Sequence, residues 1–403
     1  MSFRENIFNN FIRLNRGFDL PDSNLVEGSY PVVASTSIKA YHKEGRVKGP
    51  GVVTGRSGSL GTVQYVSGDY WPLNTALYVK DFKGNHPRFV FYFLQQMHLE
   101  NFNSGAGVPT LNQNHLHKLK IQIPELIVQR KIAAILTAYD ELIENNQRRI
   151  ALQEKMAEEI YREWFVRLRF PDCGKVKLEN RTLRSFISDY IGGDWGEDVQ
   201  SPNFGNQVYV IRGTDFERVK QGEIYSVPVR YIKDSAFKNR KLRAGDIIVE
   251  NSVNHQSRTS GKSLLVTQNV LDLFDGDVIC ASFCKLIRPK DIRHSKFLAL
   301  NFRLLFDQGL FDYFQNIATN GIANLQAERF MDRHLIPFHD SIDLSILDSL
   351  DTGLLAKTQA KLKETRYKLL PRLLSGKLSV ENLDIQFPPG MAKELKTEAA
   401  AHA

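Results

Sequence analysis

The sequence predicts an α+β protein in which two pseudo-repeated globular α/β units are separated by two long antiparallel helices forming a coiled coil. The first observation behind this is an internal repeat. "HPRFVFYFLQQMHLENFNSGAGVPTLNQNHLHKLKIQIP", starting at His86, is echoed by "HSKFLALNFRLLFDQGLFDYFQNIATNGIANLQAERFMDRHLIPF", starting at His294. The second is a switch of hydrophobic period from strand-like runs to helical spacing behind the proline that closes each copy, Pro124 and Pro337. At 403 residues the chain also exceeds the size of most single cores.

The first unit is assigned to residues 1–125. "GVVTG", "GTVQYV" and "LKIQIP" are its strand candidates, and "PRFVFYFLQQMHLENF" has helical length behind a proline suited to a first helical position. The second unit, residues 169–340, keeps the same landmarks. "YPVVAST" (Tyr30 to Thr36) matches "VYVIRGT" (Val208 to Thr214), and "RVKGPGVVTG" (Arg46 to Gly55) matches "KLRAGDIIVE" (Lys241 to Glu250). His86 and Phe89 precede His294 and Phe297 by 208 positions, and Gly107 and Leu111 precede Gly321 and Leu325 by 214. Offsets this steady mark a repeated module.

A spacer helix is expected over residues 126–168. Leu136, Ile143, Ile150, Ala157 and Trp164 recur every seven residues, with Ile132, Tyr139, Asn146, Gln153 and Ile160 at the complementary heptad position. At 1.5 Å per residue it would run roughly 60 Å. Residues 341–387 repeat the pattern in a broken form, Leu347 and Leu354, then after a slip Leu355, Leu362 and Leu369. One helix cannot bury its own stripe, so the two are expected to pair antiparallel. The seam would join Leu136, Ile143, Asn146, Ile150, Gln153, Ile160 and Trp164 to Leu354, Leu362 and Leu369. Asn146 and Gln153 would fix register or meet a partner's polar group there; the alternative is that they face solvent at a bend. Residues 388–403, "PPGMAKELKTEAAAHA" from Pro388, read as a mobile tail.

Composition narrows the function classes. The opening "MSFRENIFNNFIRLNRG" lacks the apolar stretch of a secretion signal, and no run approaches the ~20 apolar residues of a membrane span. A cytoplasmic protein without membrane contact is therefore expected. Three cysteines are too few for a disulfide scaffold, and Cys280 and Cys284, inside the strand-like run "VICASFCKLI", read as buried thiols rather than half a metal site. A net charge of +8 raises the odds of a polyanionic partner.

No catalytic constellation emerges. "TSGKS" (Thr259 to Ser263) mimics the end of a phosphate loop, but Gln256 stands where its first glycine would be. "GRSGSLG" (Gly55 to Gly61) spaces its glycines as GxxGxxG and leads into a strand, unlike a dinucleotide site. The ten histidines form no zinc pattern, and the aromatic tetrapeptide of amino-group methyl transfer is absent. No catalytic or metal-binding residue is assigned.

Binding chemistry remains. The first unit offers Lys39, Arg46, Lys48, Arg56 and Ser57 on and before its glycine loop. The second offers Arg212 and Thr214, then Lys238, Arg240 and Lys241 in "FKNRKLR", then Asn254, Gln256, Arg258 and Lys262 in "NSVNHQSRTSGKS". Arginine, asparagine and glutamine read purine edges in a major groove, and lysine neutralises phosphate. Taken singly each reads first as a solvated surface group; it is the two loops as groups that point to nucleic acid.

"GAGVPTLNQNHLHKLKIQIPELIVQRKIAAILTAYDELIENNQRRIALQEKMAEEIYREWFVRLRFP" with the closing "YKLLPRLLSGKLSV" resembles the conserved segments of the DNA-specificity subunit of type I restriction-modification systems. "GGDWGEDV" and "VYVIRGTDF" resemble the opening of a target recognition domain, so the resemblance covers almost the whole chain. It implies two target recognition domains, each reading half of a split double-stranded DNA site, with the helices setting their separation. It implies two modification (methyltransferase) subunits as partners, carrying S-adenosylmethionine, and restriction subunits, using ATP and Mg, joined through them. No cofactor would be bound by this chain. The second unit lacks the "GRSGSLG" form, so different half-sites are expected, and no base-contacting residue carries over from the family. Two other readings stay open: a coiled-coil scaffold without a DNA role, and the recognition part of a fused methyltransferase-nuclease.

Overall fold

The computed structural model describes residues 3–254, 260–319 and 321–392, without the side chain of Asn254. The chain divides into two units, Met1–Leu142 with Lys363–Ala403, and Ile143–Leu362. Both are α+β, and the three sheets of the first recur in the second, which adds a sheet ordered Ser252–Asn254, Ile322–Leu325 and Gln315–Ile317.

In the first unit a four-stranded antiparallel sheet runs in the order Arg13–Arg16, Ala76–Asp81, Gly51–Gly55, Val63–Val66. Gly51–Gly55 is buried along its whole length, as its unbroken small and apolar sequence requires of a central strand. A second sheet orders Ile38–His42, Tyr30–Val33 and Trp71–Pro72, its last pair parallel. Arg4–Ile7 closes the unit by pairing with Lys120–Ile123.

The second unit repeats all three. Its four-stranded sheet orders Ile187–Gly192, Cys284–Pro289, Ile247–Glu250 and Ser263–Leu265. Its three-stranded sheet orders Val229–Ile232, Asn206–Ile211 and Val278–Cys280, again with the last pair parallel. Glu179–Thr182 pairs with Leu335–Phe338. The run "VICASFCKLI" is thus not one strand but two strands joined by a tight turn, with Cys284 N donating to Ala281 O at 2.8 Å. Cys280 and Cys284 are both buried free thiols, and burial pushes the Cys280 thiol up to about 12.

The expected helix behind His86 comes in two pieces. Pro87–Gln96 buries Phe89, Val90, Tyr92 and Leu94, and His98 in the left-handed region (φ 51°) then turns the chain into the short helix Leu99–Phe102. Ser295–Asp307 is its counterpart, with Phe297 fully buried where the first unit has Phe89.

The central helix, Leu126–Tyr161, spans 36 residues without glycine or proline and continues into a wider π turn, Arg162–Val166. It starts in the first unit and ends in the second; the closing helix, Gly353–Leu374, carries the chain the other way. In the first unit Ile132 and Leu136 share a core with Leu370, Leu373, Phe8, Phe11 and Phe89. Asp140 accepts from Tyr92 Oη at 2.7 Å and pairs with Arg366, whose Nη2 also reaches Gln95 Oε1 at 3.2 Å. The chain beyond the closing helix packs back on this core: Val380 and Met391 are buried, and Gly390 N donates to Glu141 Oε1 at 3.0 Å. Packing therefore reaches beyond residue 388, where the sequence suggested a mobile tail, because the Met391 thioether fills an apolar gap.

In the second unit Ala157, Tyr161 and Phe165 enter a core with Phe186, Phe297 and Phe338. Phe165 meets Phe297 edge-on at 4.6 Å, and Asn301 Nδ2 donates to Tyr161 Oη at 2.6 Å. Of the seam residues, Leu136, Asn146 and Ile150 are buried, whereas Ile143, Gln153, Ile160, Trp164, Leu362 and Leu369 are half-buried. Leu354 is 65% exposed. Among the described residues no helix is long and apolar enough to cross a membrane.

Candidate nucleic-acid interface

The loop that leaves the buried strand of each four-stranded sheet is held by one hydrogen-bond pattern in both units. In the first, Arg56 N and Ser57 N donate to Thr75 O at 2.9 and 3.1 Å, and Leu111 N donates to Arg56 O at 2.8 Å. In the second, Asn251 N and Ser252 N donate to Phe283 O at 2.9 and 3.1 Å, and Leu325 N donates to Asn251 O at 2.8 Å. Arg56 thus corresponds to Asn251, Ser57 to Ser252 and Thr75 to Phe283, in the register the repeat sets through Leu111 and Leu325.

Around Arg56 the first unit is polar. Its Nη1 donates to Asn74 O at 3.2 Å, and Ser35 Oγ donates to Ser57 O and Thr75 O at 3.2 and 2.9 Å. Gly58, with φ 86°, lets the loop turn and donates its N–H to Pro109 O at 3.0 Å. Three chain segments therefore converge on Arg56 and Ser57. The other basic residues of this unit are spread over separate partners. Lys39 pairs with Asp22 at 2.8 Å, Lys48 with Asp69 at 3.0 Å, and Arg46 lies over the rings of Phe18 and Trp71 at 5.2 and 5.8 Å. Hydrogen bonds from Gly49 N and Lys48 hold the Asp69 carboxyl below its ordinary range.

In the second unit the corresponding place is an apolar cleft of about 760 Å³. Trp195, Thr214, Val253, Ala281, Phe283 and Ile322 line it together with the polar Arg212, Ser252 and Ser282. Trp195 is fixed beneath the Arg230 guanidinium, 4.4 Å from the ring centre, and its backbone N–H donates to Asp194 Oδ1 at 2.8 Å. Buried Glu250 lies on the floor beside Gly213, where a Cβ would come within 1.9 Å of Glu250 Oε1; only glycine permits that approach.

Arg212 directs its guanidinium inward, with Nε and Nη2 on Asp215 Oδ2 and Oδ1 at 2.8 and 2.9 Å and Nη2 also on Ser226 O at 2.7 Å. Burial alone would raise Asp215, yet these bonds and one from Ser226 Oγ hold it below the ordinary range. Arg240 donates to Gly192 O at 2.8 Å, and Lys241 pairs with Asp277 at 2.6 Å. Lys238 is exposed on the helix Asp234–Arg240, Thr214 is exposed at the cleft, and Lys262 is half-buried. Asn254 pairs its backbone with Ile322, while its side chain, Gln256 and Arg258 lie outside the described atoms. Trp195, Asn74 and Phe283 carry no charge and do not stand out in the sequence as contact residues. Phe283 had one signal: a lone aromatic between small residues in "ASFC".

Residues 9–154 match the model of the type I restriction modification DNA specificity domain. The EcoprrI type I restriction enzyme specificity subunit of Escherichia coli is 29% identical over 137 residues, 32% of this chain and 34% of that protein. The MjaIX type I restriction enzyme specificity subunit of Methanocaldococcus jannaschii is 33% identical over 69 residues, 17% of this chain and 16% of that protein. The aligned stretches thus span about a third and a sixth of those relatives. The fold is shared over far more. The crystal structure of the type I restriction-modification S subunit from M. genitalium superposes with a TM-score of 0.64 at 14% identity, over 93% of this chain and 96% of that one. Residues 9–154 are thus similar to the type I restriction modification DNA specificity domain, and the chain shares its fold with a type I restriction-modification S subunit.

Proposed function

We propose that the chain reads a bipartite double-stranded DNA target, one half per unit, and assembles two methyltransferase subunits on it, with restriction subunits joining through them. The observation that carries this reading is that three matching sheets occur twice with different side chains at the corresponding loop, Arg56 and Thr75 in one unit, Asn251 and Phe283 in the other. A repeated scaffold with altered contact residues suits two unlike half-sites. Arg56 and Ser57 are the proposed base-edge contacts of the first unit, and exposed Lys238 is a proposed phosphate contact of the second. The chain itself is proposed to be non-catalytic, with S-adenosylmethionine held by the methyltransferase partner and ATP and Mg by the restriction partner.

The test is to co-express the chain with the methyltransferase encoded beside it and map modified bases in host DNA by single-molecule sequencing. A motif of two short specific parts around an unspecified spacer is expected. A single continuous motif would remove one reading unit, and methylation by this chain alone would overturn the non-catalytic assignment.

A further inference from the structure

The cleft beside Phe283 stands where the first unit presents Arg56 and Ser57, yet its chemistry is the opposite. Thr214, Val253, Ala281, Phe283 and Ile322 offer carbon; of the polar groups that also line it, Arg212 holds Asp215 and Ser226 O, Ser252 Oγ donates to Asn324 Oδ1 at 2.6 Å, and Ser282 adds a hydroxyl. We propose that this cleft reads a thymine by enclosing the C5-methyl group on its major-groove edge, an inference that rests on the DNA-reading function proposed above.

The argument is one of elimination among base edges. Guanine, cytosine and adenine show only hydrogen-bond donors and acceptors in the major groove; thymine alone adds an apolar group, beside its O4 acceptor. Carbon surface gains nothing from the first three and costs those bases their water contacts. Against thymine, alanine, the threonine methyl and phenylalanine can bury the methyl while a serine hydroxyl donates to O4. The cleft has these groups, and at about 760 Å³ it admits a base edge rather than only a methyl.

The geometry is ready for that contact. The Phe283 side chain is 60% exposed although its backbone is fixed, its O receiving two N–H donors and the next residue closing a turn onto Ala281. An exposed ring on a fixed turn needs little further ordering when a partner arrives.

The experiment uses the full chain with its methyltransferase partner and a duplex carrying the motif mapped above, with each thymine replaced in turn by uracil, which removes the methyl and nothing else. Binding is read by fluorescence anisotropy. One uracil position in one half-site is expected to weaken binding about fourfold, from ~0.8 kcal/mol per buried carbon. Phe283→Ala should abolish that difference while leaving other positions unchanged, and Thr214→Ser, which deletes one methyl from the wall, should reduce it. Tight binding of the parent duplex with no uracil effect, or a uracil effect that persists in Phe283→Ala, would overturn the thymine assignment and leave the DNA-reading function standing. No sequence-dependent binding of the parent duplex would overturn both.

Discussion

Asp140→Ala should destabilise the first unit by about 3 kcal/mol. Asp140 accepts from the buried Tyr92 hydroxyl at 2.7 Å and faces Arg366, with the Asp140 and Arg366 side chains 35% and 20% exposed. Losing a charge-assisted bond to a buried phenol costs roughly 1.5–3 kcal/mol. Stranding a fully buried guanidinium would cost roughly 3–5 kcal/mol more. Here water reaches the pair and Arg366 keeps Gln95 at 3.2 Å, so about 1 kcal/mol of that applies. Calorimetry should show the first unit melting lower by roughly 6–12 °C, at 2–4 °C per kcal/mol for a unit of this size, with the second unit unmoved. Arg366→Met added to Asp140→Ala should recover part of the loss, since the stranded charge is then gone. A loss below about 1 kcal/mol, or no recovery in the double variant, would refute the assignment of this pair as a lock between the two helices in the first unit.

Further outcomes follow from the packing and charges described. Phe297→Ala empties a site shared with Tyr161, Phe165, Phe186 and Phe338 and should cost about 3–5 kcal/mol, read as early melting of the second unit alone. Met391→Ala should cost the first unit about 2–5 kcal/mol in urea denaturation, whereas a free tail would show none. Asp215 titrates below an unfolded value near ~3.9, so its stabilisation is complete above about pH 5 and fades as pH falls through the folded value. Asp215→Asn should therefore be less stable than wild type at pH 7, with the gap narrowing toward pH 3 in denaturant titrations. Lys238→Ala should weaken duplex binding equally across sequences and reduce the slope of log K against log salt by about 1.

The repeat was legible because it is written in residues whose place allows little choice. Phe89 and Phe297 fill the same fully buried position, and the continuous runs at Gly51–Gly55 and Ile247–Glu250 can only be central strands. Pairing between distant segments, such as Arg4–Ile7 with Lys120–Ile123, leaves no local period and was not visible. The heptad spacing sets Trp164 in the seam, but a straight helix drifts from a seven-residue repeat, and after Ala157 the buried stripe passes to Tyr161 and to Phe165 within the π turn. Arg212 looked like a base reader by type, while the aspartate three residues later, which takes its guanidinium, was already in the sequence. Phe283 has only the small residues around it as a sign of its turn, and inside the apolar run "VICASFCKLI" that sign is weaker than the strand pattern.

The composition of the first unit from two distant parts of the chain has a consequence for biosynthesis. Residues Met1–Leu142 leave the ribosome before Ile143–Leu362, and Lys363–Ala403, which supplies Leu370, Leu373 and Met391 to the first core, only afterwards. At ~5–20 residues per second the nascent first unit waits on the order of 10–40 s with that flank of its core uncovered, while the second unit has all its parts in hand. The half that is translated first is therefore the half that finishes folding second, and it is the one that would depend on a chaperone during synthesis.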